Sequence, residues 1–338
     1  MRKLLYALAA SALLFTSWAQ AQPELRSDHP ERYTVVKGDT LWDISARFLN
    51  NPWYWPEIWH VNPQVANPHL IYPGDRLALV YIDGKPRITK VATSDVVKLS
   101  PQVRSEAIDT PIPAIPLDAI ASFLTETRIV SPEEINGAPY VLEGEDGRII
   151  TGAGDRIYAR GEKPADRVGI FRRSKEFVDP DTGEFLGLEA RSIARGNVNA
   201  ENGDVLTVGI TKSSEEVRIG DRLLVNEDRR LTTSFVPSSP DSEIEGKMIS
   251  VDGGVSQIGQ YNVVAINRGE REGLTAGNVL AVLKAGNMVR DPVTGETIEL
   301  PSERAGLLMV FQAYEKMSYG LVLQATRPLS VGDKVTNP

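Results

Sequence analysis

The chain has 338 residues, no cysteine and a formal charge of −8. That length can bury large cores, so two or three domains can stand without disulfides. An acidic balance with no basic stripe excludes nucleic acid as a partner class and disfavours anionic lipid surfaces.

In chain order, the N-terminus comes first. Arg2-Lys3, an apolar run over residues 4–15 and the small-x-small site Ala19-Gln20-Ala21 have the pattern of a secretory signal peptide, residues 1–21. The run is shorter than the roughly 20 residues a bilayer span needs, so cleavage after Ala21 is expected, with Gln22 opening the mature chain. No Cys follows the run to carry a lipid, and no other stretch is apolar enough to span. The expectation is an exported, periplasmic, cell-wall-associated protein with no integral membrane segment. Loss of Arg2 and Lys3 takes the charge to −8 − 2 = −10. Residues 22–32 are polar and read as a flexible lead-in.

Residues 33–81 carry the densest local signals. Tyr33-Thr34-Val35-Val36 alternates as a strand, and Lys37-Gly38-Asp39 is a tight turn. Asp39 or Thr40 can cap a helix bearing Leu41, Ile44 and Phe48 on one face. A second short helix fits residues 56–61, with Pro56 in its first turn. Tyr72-Pro73-Gly74-Asp75 then turns the chain into a closing strand over residues 76–80. The order is strand–helix–helix–strand.

Tyr33-Thr34-Val35, Gly38-Asp39-Thr40-Leu41-Trp42, Ile44, Asn62-Pro63 and Ile71-Tyr72-Pro73-Gly74-Asp75-Arg76-Leu77 together resemble a LysM domain. That family comprises carbohydrate-binding modules of peptidoglycan- and chitin-associated proteins. Between Asn50 and Asn67 the chain departs from the common pattern, with Asn-Pro-Trp-Tyr-Trp-Pro-Glu-Ile-Trp-His in place of a short linker and charged second helix. The resemblance implies a shallow groove for an N-acetylglucosamine-containing glycan, built from two loops. Gly38, Asp39, Thr40 and Leu41 would form one, and Asn62, Pro63, Leu70 and Ile71 the other. Gly38 would permit the turn, the 39–41 backbone would face the N-acetyl group, and Leu41 and Ile71 would add apolar contact. The competing reading makes Asp39 and Thr40 caps and Leu41 and Ile71 core. Local charges nearly cancel, Lys37, Arg47 and Arg76 against Asp39, Asp43, Glu57 and Asp75, which suits a neutral sugar polymer.

Residues 82–124 read as a Pro-containing connector, with Thr110-Pro111-Ile112-Pro113-Ala114-Ile115-Pro116 as an extended spacer. A short helix near Asp118 would gather Ile120, Phe123 and Leu124. From there the chain becomes short β-type runs punctuated by Gly, the texture of a barrel or sandwich. Asp179-Pro180-Asp181-Thr182-Gly183-Glu184 recurs as Asp291-Pro292-Val293-Thr294-Gly295-Glu296, and Ile219-Gly220-Asp221-Arg222 as Val331-Gly332-Asp333-Lys334; both shifts are 112 (291 − 179 and 332 − 220). Arg160-Gly161-Glu162 recurs as Arg268-Gly269-Glu270 at a shift of 108 (268 − 160), a four-residue insertion following it in the second copy, and the three landmarks in one order indicate two related β units, 125–227 and 245–338, joined by a hinge at 228–244. The fold class expected is therefore multidomain: a small α+β unit (βααβ), then a mostly β region of two related barrel- or sandwich-like units.

The aromatic cluster Trp53, Tyr54, Trp55 and Trp59 suits either sugar stacking or a core plug, with core packing favoured for Trp55 and Trp59 at i,i+4. Glu57, His60 and His69 do not assemble a closed metal site, so no metal or other cofactor is expected. Beyond residue 69 there is neither His nor Cys, which removes triads, thiol enzymes and His-ligated zinc from that region. A two-carboxylate glycosidase survives in principle, yet Glu143, Glu145, Asp146 and Glu299 read as solvated loop charges. No catalytic residue is assigned and no enzyme is expected.

The signal, a single N-terminal LysM with Asn-Pro-Trp-x-Trp, the stretch Asn67-Pro68-His69-Leu70-Ile71-Tyr72-Pro73-Gly74 and Asp83-Gly84-Lys85-Pro86-Arg87 are together similar to the type IV pilus secretin-associated proteins. Their carboxyl region is related to the C-terminal domain of a flagellar assembly protein. This resemblance implies a scaffold that tethers an outer-membrane secretin ring to peptidoglycan. The alternatives are an accessory of another envelope machine, such as a flagellar ring, or a LysM-targeted cell-wall hydrolase.

Overall fold

The computed structural model describes residues 23–59, 70–91, 111–225, 235–252, 257–284, 286 and 288–338. The chain divides into two compact units, residues 1–111 and 112–338. The signal peptide, Asn62, Pro63, His60, His69 and residues 228–234 of the expected hinge lie outside the described residues. No helix among those described is long and apolar enough to cross a membrane.

The first unit contains β1 (Arg32–Thr34), α1 (Leu41–Phe48), a 3-10 turn Pro52–Tyr54, α2 (Trp55–Ile58), β2 (Arg76–Ile82) and β3 (Lys85–Lys90). Its sheet is antiparallel in the order β1-β2-β3. Leu41, Trp42, Ile44 and Phe48 on α1, Ile58, Leu77 and Ile88 are all buried. Two expectations change here. The strand β3 falls where a connector was expected to begin at residue 82. Asp83 (φ 52°) and Gly84 (φ 73°) both take the left-handed region, as a two-residue hairpin turn requires, so the chain folds straight back onto β2. The lead-in expected to be flexible is held at its middle. Arg26 N–H donates to Phe48 O (2.9 Å) and Asn50 N–H to Glu24 O (3.0 Å), closing the exit of α1.

The second unit opens with a 3-10 turn Leu117–Ala119 and α3 (Ala121–Glu126), which bury Ile120 and Phe123. Then come β4 (Thr127–Val130), α4 (Pro132–Gly137), β5 (Tyr140–Gly144), β6 (Ile150–Thr151), β7 (Arg156–Arg160), β8 (Arg167–Val178), β9 (Phe185–Asn202), β10 (Val205–Ser213), β11 (Val217–Arg218) and β12 (Arg222–Val225). The remainder is β13 (Glu245–Val251), β14 (Val263–Ile266), β15 (Val279–Lys284), β16 (Met288–Arg290), β17 (Thr297–Glu299), β18 (Glu303–Ala313), β19 (Ser318–Ala325) and β20 (Lys334–Thr336). β8 and β9 are far longer than the short runs expected. Their polar stretch over 172–176 stays extended because β8 keeps pairing with β9 as far as Val178 and Phe185.

Strands β13-β14-β19-β18-β15-β20 form a closed barrel around Met248, Val264, Ile266, Leu280, Leu308, Val310 and Val322. Strands β5-β7-β10-β9-β8-β12 also run in a ring, closed by β10 on β9 and by β12 on β5, around Val141, Ile157, Ile170, Ile193, Leu206 and Val208. Numbered along the chain, both rings have the order 1-2-5-4-3-6. β4 adds to the outer edge of β9.

One turn recurs at the ring entries. In Arg218-Ile219-Gly220-Asp221, Arg218 N–H donates to Asp221 Oδ2 (2.8 Å), Gly220 N–H donates to Val141 O (2.9 Å), and Val141 N–H donates back to Asp221 O (2.8 Å). Ser330-Val331-Gly332-Asp333 does the same with Met248, Gly152-Ala153-Gly154-Asp155 with Ile210, Gly259-Gln260-Tyr261-Asn262 with Val322, and Thr275-Ala276-Gly277-Asn278 with Val310. The third residue has positive φ each time, 89° at Gly220 and 67° at Tyr261, the conformation glycine adopts without a Cβ penalty. The first unit uses the same turn at Tyr72-Pro73-Gly74-Asp75 against Val35.

The two rings share one compact unit. The described residues of the expected hinge, 235–244, pack on the second barrel: Phe235 and Ile244 are buried, and Val279 N–H donates to Ser238 O at 2.8 Å. The β8–β9 hairpin also reaches across. Asn267 Nδ2 donates to Asp179 Oδ2 (2.9 Å), Arg271 donates twice to Glu184 (2.8 and 2.9 Å), and Tyr319 Oη donates to Glu189 (2.7 Å). Phe123, Phe177 and Phe311 surround the Tyr319 ring.

Candidate glycan-binding loops

Of the two loops singled out in the first unit, the first (residues 38–41) and the turn that follows Leu70 and Ile71 of the second are held by matching bonds. Asp39 Oδ2 accepts from Val36 N–H (2.9 Å) and from Tyr33 Oη (2.8 Å), the latter reaching in from β1. Burial and the adjacent Asp39 carboxylate push the Tyr33 phenol up, so it remains a donor. Arg47 caps the Tyr33 ring at 4.6 Å. Across the loop pair, Tyr72 N–H donates to Asp75 Oδ2 (3.0 Å). Val35 N–H donates to Asp75 O (2.9 Å) and Gly74 N–H to Val35 O (2.8 Å), which ties the start of the first loop to the end of the second. Lys90 pairs with Asp75 at 2.7 Å, adding a cation the local charge count omitted.

The individual residues divide by role. Thr40 is the cap of α1: its Oγ1 accepts Asp43 N–H (3.1 Å) and donates to Asp43 Oδ2 (2.7 Å). Leu41 and Ile71 are each 4% exposed and belong to the interior, so their side chains can offer a ligand only an edge. Asp39 and Thr40 are buried too. Gly38 is exposed at φ 99°, with open space where a Cβ would stand. Val36 is 53% and Leu70 38% exposed. Among the described residues, the surface these turns offer a glycan is therefore the stretch 36–38 and residues 72–74, beside Leu70. Tyr33 and Asp75, which fix these loops, were not among the expected site residues; only the Tyr72-Pro73-Gly74-Asp75 turn signalled one of them.

Trp53 and Tyr54 stack on each other at 3.8 Å between ring centroids and are half-buried, while Trp55 is in the core. Burial, with Glu57 near, pushes the Tyr54 phenol up. Among the described residues no cluster of His, Cys, Asp and Glu could hold a metal.

Residues 33–79 are a LysM domain. A LysM domain implies binding of peptidoglycan-type glycan. Over 60 residues the chain is 38% identical to the uncharacterized protein YqbP of Bacillus subtilis (strain 168), covering 15% of this chain and 27% of that protein. The chain thus spans about a quarter of that relative's length.

Proposed function

We propose that this protein is a non-catalytic, exported scaffold whose LysM domain grips peptidoglycan while its β region holds a protein of the envelope, the outer-membrane secretin ring of a type IV pilus. The observation that carries the wall-binding half is the pair of loops, 36–39 and 72–75, pinned side by side with Lys37, Gly38 and Gly74 exposed. Such a surface reads amides and hydroxyls without charge, as a neutral sugar polymer demands. The secretin half rests on the resemblance of the leader, the single LysM and the flanking motifs. The shared ring order 1-2-5-4-3-6 and the turns at equivalent places support reading the two barrels as copies of one unit.

The test is co-sedimentation with purified sacculi, comparing the mature chain with a version lacking residues 33–80. Loss of sedimentation on deletion, with a secretin brought down only by the intact chain, supports the tether. Sacculus binding by the deleted chain would place wall recognition in the barrels instead. Clearing of peptidoglycan in a zymogram would replace the scaffold with a hydrolase.

A further inference from the structure

The β8–β9 hairpin of the first barrel ends in Asp179-Pro180-Asp181-Thr182-Gly183-Glu184 and is seated on the second barrel. Asp179 holds Asn267 (2.9 Å), and Asp181 holds Lys247. The second barrel has the same turn at Asp291-Pro292-Val293-Thr294-Gly295-Glu296. Asp291 Oδ1 accepts Val293 N–H (2.7 Å), as Asp179 Oδ1 accepts Asp181 N–H (2.8 Å). Gly295 N–H donates to Asp291 O and Gly183 N–H to Asp179 O, each at 2.9 Å. Yet among the described residues nothing covers the β16–β17 hairpin. Met288 is 64%, Val293 90%, Ile298 47% and Leu300 46% exposed. Val289, 43% exposed, faces Ile298 directly across the two strands. A two-stranded hairpin is marginal alone in water, and a clustered apolar surface marks an interaction site.

We propose that this hairpin docks on the first barrel of a second copy of the chain, as the first barrel's hairpin docks on the second barrel within one chain. The inference rests on reading the barrels as copies. Ring register then locates the acceptor. Val141 and Met248 make the same turn contacts, so Tyr140 stands where Lys247 stands. Arg160 pairs with Tyr140 on the neighbouring strand, as Asn267 does with Lys247, so ring register sets Arg160 against Asn267, one residue before the Arg268 that the repeated Arg-Gly-Glu aligned with it. The contact Asp179–Asn267 becomes Asp291–Arg160, an ion pair. The contact Asp181–Lys247 becomes Val293–Tyr140, an apolar side chain on an aromatic ring. In the second pair both members change together, and in the first the Asp is kept while its partner becomes a cation, so complementarity survives in both. Arg160 is exposed and Tyr140 half-buried, so both are reachable; Arg160 meanwhile rests on Asp204 at 2.7 Å. Two different patches meet, so the contact is head-to-tail and generates a ring or a filament.

Sedimentation velocity on the mature chain tests this. The native chain should show a mass that grows with concentration. A donor variant, Val289→Asp with Ile298→Asp, and an acceptor variant, Arg160→Glu, should each stay at single-chain mass while keeping the native circular dichroism and melting midpoint. Mixed in equal amounts they should form a two-chain species and stop, since each retains the half the other lacks. Asp291→Arg combined with Arg160→Glu should restore growth. Because the chain has no cysteine, Val293→Cys with Tyr140→Cys should cross-link between chains. A native chain that stays single up to its solubility limit overturns the proposal, as does growth of the donor variant or a mixture that grows past two chains. Kinship of the barrels is read separately, by superposing β5–β12 on β13–β20 in a crystal structure. Failed superposition beside a two-chain mixture sinks the kinship and keeps the contact; the reverse pattern sinks the contact alone.

Discussion

Asp39 is 8% exposed although its neighbours Lys37 and Gly38 lie in water. Its carboxylate is spent on Tyr33 and Val36, which leaves the capping of α1 to Thr40. Sequence spacing left Asp39 and Thr40 as rival caps, because the decisive partner comes from a strand six residues back and no local pattern announces it. The two therefore separate by mutation. Thr40→Ala should cost about 1 kcal/mol in urea unfolding of the first unit, the ordinary value of a lost cap, with glycan affinity kept. Asp39→Ala leaves the Val36 N–H and the Tyr33 hydroxyl without their acceptor and should cost about 1–3 kcal/mol. It should also weaken sacculus binding, since it frees the 36–39 backbone. Equal glycan loss in both variants would mean the loop conformation is not what the sugar reads.

At the scale of elements, the Gly-Asp turn does most of the joining. Its instances at Gly220-Asp221 and Gly332-Asp333 are legible in the sequence as a repeat, and that at Gly74-Asp75 as a turn. Those at Tyr261-Asn262 and Gly277-Asn278 escape a text comparison, because Asn replaces Asp and Tyr261 takes the positive φ a glycine would take. Physically the fourth residue needs a side-chain oxygen, and charge is secondary. Asp333→Asn should thus be nearly neutral, whereas Asp333→Ala orphans Ser330 N–H (2.8 Å in the native turn) and should cost about 1–3 kcal/mol. Urea melts of the two variants distinguish the cases, and an equal cost for both would make the charge itself the stabilising feature. The same dependence on long-range pairing explains why β3 and the long β8–β9 hairpin were not read in advance. Their strand character comes from the partner, not from their own alternation.

For the molecule as a whole, the repeat spacing of 112 led to an expectation of two β units, but nothing in the sequence said that the Asp179 turn would join the two rings within one compact unit. That lock is ionic. Arg271 and Lys316 hold Glu184 at about 2, against 4.5 ordinarily. Burial pushes Asp179 up, but the Asp181 and Thr182 N–H groups, Asn267 and Arg268 outweigh it and leave it low. Groups with depressed folded-state values stabilise above their unfolded values and lose that as pH falls. The melting midpoint of the second unit should therefore be flat above about pH 5 and drop between pH 4.5 and about 2, with Glu184→Gln flattening part of the slope. A rigid body matters because of what it carries. One shallow LysM loop pair binds weakly, but chains joined head to tail would present many at once. Linking sites raises apparent affinity by about 10²–10⁴-fold without any new contact. Residues 22–111 alone should thus sediment modestly with sacculi, the native mature chain far more firmly, and the Val289→Asp, Ile298→Asp chain like the fragment. If all three bind alike, the grip lies in the single LysM domain and assembly adds nothing to it.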